Sequence, residues 1–195
     1  MTAERAHPND PGFNKDSPYY KKFVERYMFA NKFIDNTDMV LDVPCGVGWG
    51  TSMLRGKLVY GMDIDKKSIN EARSMWEAQE NRLIFYSGDM TKSLGVQFNS
   101  IDKVVCLDGI EHVTKEGALY FLKLVHTVLH PEKLLLLTTV VEDNSPIRNP
   151  YHEYEYSVQE LLDKLGKLKF AIRDYAIKDG VDKQDIYIVA QQIPE

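Results

Sequence analysis

A single α/β domain built on a mostly parallel, doubly wound sheet is what this 195-residue sequence predicts. Three observations predict it. Short apolar runs alternate with stretches of helical period through the middle of the chain, as in strand–helix–strand units. Residues 39–51, MVLDVPCGVGWGT, run from an apolar strand through Asp42 into Gly46, Gly48 and Gly50, a tight turn where backbone passes close to a neighbour or a ligand. The last third holds two apolar runs separated by Asp179-Gly180, a hairpin signal that makes those two strands antiparallel. The sum is about seven strands, five parallel and then a closing hairpin, with right-handed crossovers placing helices on both faces.

Each element has its own reason. Residues 1–18 are polar, with Pro8, Pro11, Gly12 and Pro18, and read as a flexible arm preceding a single domain over 19–195. Phe23, Tyr27, Ala30 and Ile34 recur at helical spacing and give the first helix one apolar face. Strands are expected at 39–42, 58–63, 83–86, 103–107 and 134–140, the last a continuous apolar run of the kind that is buried on both faces. Asp65 caps a helix carrying Ile69, Ala72 and Trp76, and Thr114 caps one carrying Ala118, Leu122, Val125 and Leu129. That second helix is expected to hold His126 and His130 in its last turns, with Pro131 just beyond it. Ser157 with Glu160 fits a capping box for a short helix around Leu161 and Leu165. Residues 168–177 and 186–193 form the hairpin.

Composition narrows the function. A net charge of -5 argues against a nucleic-acid partner, which favours a basic face. No apolar run approaches the ~20 residues of a membrane helix, and the first residues carry no apolar core of the signal-peptide kind, so the expected location is the cytoplasm. The two cysteines, Cys45 and Cys106, belong to no spaced metal or disulfide framework.

Acids stand at four strand ends: Asp42, Asp63, Asp89 and Asp108. Burying an unpaired carboxylate is costly, so their recurrence there points to a site rather than to core filling. Ligands of such sheets bind outside the carboxyl ends of the strands. Asp63 lies at the distance after the glycine turn that suits two ribose hydroxyls, which a carboxylate can accept together. An acid before the glycines disfavours a phosphate and suits a cationic amine, so the ligand is read as an amino-acid-bearing nucleoside rather than a dinucleotide.

With these motifs in order, the chain resembles the class I S-adenosylmethionine-dependent methyltransferases over residues 25–191. LDVPCGVGWGT is similar to their first motif, GMDID to the ribose motif, SGDM to the adenine-side motif and DKVVCLDGIEHV to the motif after strand four. The resemblance implies a seven-stranded sheet with a reversed last strand and S-adenosyl-L-methionine as cofactor. It implies Gly46 and Gly48 at the methionine portion, Asp63 on the ribose, Ile64 on the adenine, Asp89 and Met90 beside it, Asp108 at the methyl-donor mouth, and Asp42 supporting the loop and the donor amine. Tyr27, Cys45 and Trp49 complete the cofactor side as residues in or flanking the turn, Trp49 either covering the donor or packing under the first helix. Pro44 departs from the family pattern by standing where a glycine is usual. A nearer resemblance, carried by Arg26-Tyr27-Met28-Phe29-Ala30 and Asn149-Pro150-Tyr151-His152, is to bacterial methyltransferases found among glycan-modifying genes.

That resemblance implies a small-molecule or sugar hydroxyl or amine as acceptor, with the arm and residues 143–156 shaping its pocket and Tyr151, Tyr154 and Tyr156 either stacking on it or anchoring the loop. Two histidines fall on the cofactor side, His152 and His112, and are the candidate proton acceptors. Asp108, Glu111, His112 and His152 also resemble the metal-binding pattern of small-RNA 3′-terminal 2′-O-methyltransferases. This makes a divalent metal, and RNA-end methylation, the second reading. A non-catalytic cofactor-binding scaffold is the third. Oligomeric state is left open.

Overall fold

The computed structural model describes residue 7, residues 14–142 and residues 149–194. Seven strands form one sheet in the order β3-β2-β1-β4-β5-β7-β6. They are β1 (Met39–Asp42), β2 (Leu58–Asp63), β3 (Leu83–Ser87), β4 (Ile101–Leu107), β5 (Leu129–Val140), β6 (Phe170–Asp179) and β7 (Gln184–Gln192). Neighbours among β1 to β5 pair in parallel, and β7 runs antiparallel between β5 and β6. The expected class and the reversed last strand are both present. The chain winds outward from β1 to β3 and returns to β4 on the other side of β1, so strand order reverses between β1 and β4. In doubly wound sheets that reversal opens a crevice at the carboxyl ends of the strands.

Successive residues of a strand face opposite sides, and here both sides are apolar. Leu41, Val104, Cys106, Leu135 and Leu137 join a core beneath α4 (Lys115–Val128) and α5 (Val158–Lys167). Val40, Val105, Leu107 and Leu136 join a second core with α1 (Pro18–Asn31) and α3 (Lys66–Ala72). The sheet is therefore the middle of three layers, which is why its central strands read as unbroken apolar runs.

The expected caps are present. Asp65 accepts from the backbone N–H groups of Lys67 and Ser68, and Thr114 from that of Gly117. Three expectations change. β5 begins at Leu129, directly after α4, so His130 and Pro131 lie in a strand and only His126 lies in the last turn of the helix. After the buried Leu129, Pro131 and Glu132 are exposed and Glu132 takes a positive φ of 65°, so the apolar run starting at Leu134 marks only the continuous buried part. At α5, Ser157 accepts from the Glu160 N–H, but the Glu160 carboxylate turns to Lys115 and Tyr154 instead of closing the capping box. Pro18, assigned above to the arm, is the first residue of α1. Most of the arm and residues 143–148 of the expected acceptor loop lie outside the described residues.

Candidate active site

The four acids of the strand ends come to one edge because β1 to β4 are parallel. Between β1 and α2 (Trp49–Met53) the chain makes the glycine turn, with a cis peptide at Val43–Pro44. Gly46 and Gly48 have φ of 55° and 74°, left-handed values that glycine adopts at no steric cost. A Cβ on Gly48 would stand 2.6 Å from Phe85, whereas one on Gly46 would meet nothing within 4 Å. The first glycine thus opens onto space and the second onto core. Pro44 is accommodated by Gly109, where a Cβ would lie 2.2 Å from the proline ring.

Asp42 is fully buried under this turn. Its Oδ2 accepts from the Thr51 hydroxyl at 2.6 Å and from the Tyr27 hydroxyl at 3.3 Å, and its Oδ1 has no hydrogen-bond partner among the described residues. Burial raises its pKa to about 7, against the opposing hydrogen bonds from Thr51 and Tyr27. A buried carboxylate oxygen without a donor is costly, and a cationic amine above the turn would supply one. Asp63 is held by two amides: Oδ2 accepts from the Gly46 N–H and Oδ1 from the Asp65 N–H, both at 2.9 Å. These two bonds fix the orientation of the carboxylate. Ile64, the next residue, is 68% exposed. The Gly88 N–H binds the Asp63 carbonyl at 2.9 Å, which ties the 88–90 segment and the buried Met90 to the end of β2.

Asp89 is more committed locally than a ligand-facing acid need be. It accepts from the Thr91 N–H and hydroxyl and pairs with Lys92 at 2.8 Å, and the Lys92 and Thr91 bonds lower its pKa to about 2. Trp49 stacks on Phe23 of α1 with ring centres 4.7 Å apart and lies 5.3 Å from Tyr20. These contacts pack Trp49 beneath α1. Tyr27 is buried against Gly50, and the Cys45 thiol is buried beside Gly61. Both belong to the core shared with α1 and α3.

Asp108 takes a φ of 48°, accepts from the Thr138 hydroxyl at 3.1 Å and forms an ion pair with Arg26. Arg26 also reaches Asp185 at 3.2 Å, and Lys22 reaches the same carboxylate at 3.0 Å. Sequence reasoning missed this cluster. The available signal was that Arg26 sits three residues after Phe23, on the face assigned to packing.

Beyond Asp108, Ile110–His112 forms a single 3₁₀ turn. Glu111, His112 and His152 each offer one ligand-type atom, all within 4.8 Å of one another. Asp108, the fourth member of the expected set, is not in this group and is engaged by Arg26. Glu111 is buried and accepts from the Thr139 hydroxyl at 2.9 Å. His112 Nδ1 lies 3.0 Å from the Tyr151 carbonyl, and His152 Nδ1 lies 2.7 Å from Glu155 Oε1. A carbonyl and an ionised carboxylate only accept, so both Nδ1 atoms carry hydrogen, and in each neutral ring the lone pair is on Nε2. Of the three tyrosines, Tyr156 is buried and Tyr154 bonds Glu160 at 2.8 Å, so these two anchor the loop, while Tyr151 is exposed.

Residues 40–132 match the family model described as a methyltransferase domain. That stretch of the chain is similar to a methyltransferase domain. The methyl donor implied by the family is S-adenosylmethionine, and the open side of Gly46 and the unsatisfied Asp42 oxygen fit its amino-acid end. The domain is 38% identical over 85 residues to the magnesium-protoporphyrin O-methyltransferase of Synechocystis, a match spanning 41% of this chain and 35% of that protein. Among solved structures it is similar to the YcgJ protein of Bacillus subtilis, with a TM-score of 0.74 at 15% identity, covering 88% of this chain and 99% of that one. It is also similar to an S-adenosylmethionine-dependent methyltransferase of Methanosarcina mazei, with a TM-score of 0.70 at 18% identity over 86% and 98% of the two chains. The cyclase SpnF has the same fold, with a TM-score of 0.77 at 14% identity over 94% and 88%. A cyclase on this scaffold shows that the fold alone does not set the reaction. Among the described residues no helix is long and apolar enough to cross a membrane.

Proposed function

We propose that the chain transfers the methyl group of S-adenosylmethionine to a hydroxyl or amine of a small molecule or sugar. The observation that carries this reading is the placement of two histidines, His112 and His152, at the same sheet edge as the glycine turn and Asp63. When bound, the donor supplies an electrophilic methyl carbon, which an acceptor lone pair attacks in line as the carbon–sulfur bond breaks and its electron pair goes to sulfur. The residues of the chain position and deprotonate. Asp42 neutralises the donor amine, Asp63 grips the ribose, and Ile64 with Met90 packs the base, beside Asp89. Asp108 stands at the mouth. His152 Nε2 takes the acceptor proton, with His112 beside it. Holding reactants in line is the chief catalytic contribution of such a site, and a positioned base adds roughly 10²–10⁴-fold.

A specific observation favours a second reading, metal-assisted transfer to an RNA 3′ end. Glu111, His112 and His152 offer three ligand-type groups in one cluster, a set that suits a divalent metal. The acidic net charge argues against the RNA substrate.

Calorimetry with S-adenosylhomocysteine should show binding by the wild-type chain, and absence of binding would overturn the proposal. A screen with labelled donor over nucleotide sugars, small metabolites and RNA then identifies the acceptor. With it in hand, His152→Ala should abolish turnover while leaving cofactor affinity intact. Activity lost in a chelator and restored by metal would favour the second reading. Binding without turnover on any acceptor would make the domain a cofactor-binding subunit.

A further inference from the structure

Glu155 joins two segments that are distant in sequence. Its Oε1 lies 2.7 Å from His152 Nδ1, and its Oε2 lies 2.6 Å from the Lys183 ammonium. The His152 and Glu155 side chains are each 8% exposed and Lys183 is 12% exposed. Exposed ion pairs contribute little, but a buried set like this costs desolvation that only good geometry offsets.

The supports of Lys183 are themselves specific. It belongs to the turn between β6 and β7, which the Gly180 N–H closes on the Lys183 carbonyl at 2.9 Å. A Cβ on Gly180 would stand 2.1 Å from that carbonyl, so the turn requires glycine. The same turn is tied to α1 through the Tyr19 hydroxyl and Asp182 at 2.9 Å. A hairpin at the far edge of the sheet thus reaches back to the histidine loop.

Resting on the reading of His152 as proton acceptor, we infer that Glu155, braced by Lys183, is its positioning residue. Glu155 accepts a hydrogen bond from Nδ1–H of His152, which fixes the ring orientation and puts the lone pair of the neutral ring on Nε2. The Lys183 ammonium, 2.6 Å from Oε2, pairs with the carboxylate form of Glu155, in which neither oxygen carries a proton. An ionised carboxylate has no proton to donate, so the tautomer follows from the contact. Orienting an imidazole with a buried carboxylate is a general device for a base that must present one nitrogen.

The test is nitrogen NMR of the full chain, labelled with ¹⁵N-histidine and saturated with S-adenosylhomocysteine, at a pH where imidazoles are neutral. Wild-type His152 should be in the Nδ1–H form. Glu155→Ala should lose that preference, and Glu155→Gln, whose amide oxygen still accepts, should keep it. With the acceptor from the screen, Glu155→Ala should lower kcat by roughly 10²-fold, the cost of a misplaced reacting group, with KM for the donor unchanged and partial rescue in Glu155→Gln. An Nε2–H tautomer in the wild type, or an Nδ1–H form that survives Glu155→Ala, would overturn the inference. If Glu155→Ala fails to fold, Lys183→Met is the second variant, and the same Nδ1–H signal should weaken in it. An unaltered signal there removes Lys183 from the arrangement. Turnover that survives His152→Ala while the tautomer is as expected would retire the base assignment instead, so the two failures are distinct.

Discussion

Asp42 carries the largest electrostatic burden in the glycine turn. Its carboxyl is fully buried, and burial raises its pKa to about 7, so without donor the fold favours the neutral form. A raised folded-state pKa gives stability that is complete below the unfolded range, ~4 for a carboxyl, and is lost as pH rises through the folded value. The unfolding free energy of wild type relative to Asp42→Asn should therefore fall between about pH 4 and pH 7, as denaturant titrations across that window will show. A flat difference would mean that the buried oxygen is not protonated. A donor amine reverses the preference, so binding of S-adenosylhomocysteine near pH 6 should release protons, read as a dependence of the calorimetric heat on buffer ionisation enthalpy. Asp63 behaves differently because amides already hold it. Removing two charge-assisted hydrogen bonds at ~1.5–3 kcal/mol each predicts that Asp63→Ala weakens S-adenosylhomocysteine binding by roughly 10²-fold or more. A loss under about threefold would place the ribose elsewhere.

At the scale of elements, the turn and α1 are one packing unit. Tyr27 enters the space that Gly50 leaves, since a Cβ there would lie 1.9 Å from the phenol ring, and its hydroxyl then reaches Asp42. Gly50→Ala should destabilise by the upper end of the ~1–3 kcal/mol typical of overpacking. In a Tyr27→Ala background the same change should cost close to nothing, because the added methyl enters the vacated volume. A double-mutant cycle in urea measures that coupling, and additivity would show that the ring can move aside at little cost. The alternate glycines of the turn thus have separate roles: Gly46 opens onto space, Gly48 meets Phe85 and Gly50 seats Tyr27. The regular spacing was legible in the sequence. The division of roles was not, because it depends on side chains that arrive from α1 and β3.

At the scale of the molecule, α1 bridges the ends of two strands that are far apart along the chain. Arg26 pairs with Asp108 after β4 and with Asp185 of β7, 159 residues away. Breaking a buried pair leaves an uncompensated charge at about 3–5 kcal/mol. Arg26→Met should lower the unfolding free energy by about 3 kcal/mol in urea titrations, whereas a change below about 1 kcal/mol would show the cluster to be solvated. Residues 23, 27, 30 and 34 identify the buried face of α1 from spacing alone. Nothing local marks Arg26 as the ion-pair donor on that face, since its partners lie on strands whose adjacency exists only in the folded sheet.

The order of strands and helices, the parallel body with its closing hairpin, the glycine turn and the four strand-end acids follow from sequence alone. Each rests on local chemistry: the period of apolar residues, the freedom of glycine, and the cost of a carboxylate in an apolar run. The tertiary structure decided which acids meet which partners. It gave Asp108 to Arg26, Asp89 to Thr91 and Lys92, and set His112 and His152 beside Glu111 with Glu155 and Lys183 behind. The Asp89 bonds and the His152–Glu155 contact are local, but Arg26 with Asp108, His112 with His152 and Glu155 with Lys183 join segments 28 or more residues apart, and hydrogen bonds and ion pairs act only over a few ångströms. A chain must first fold to bring such groups within reach, so the roles of individual charged residues are written in the packing rather than in the local pattern.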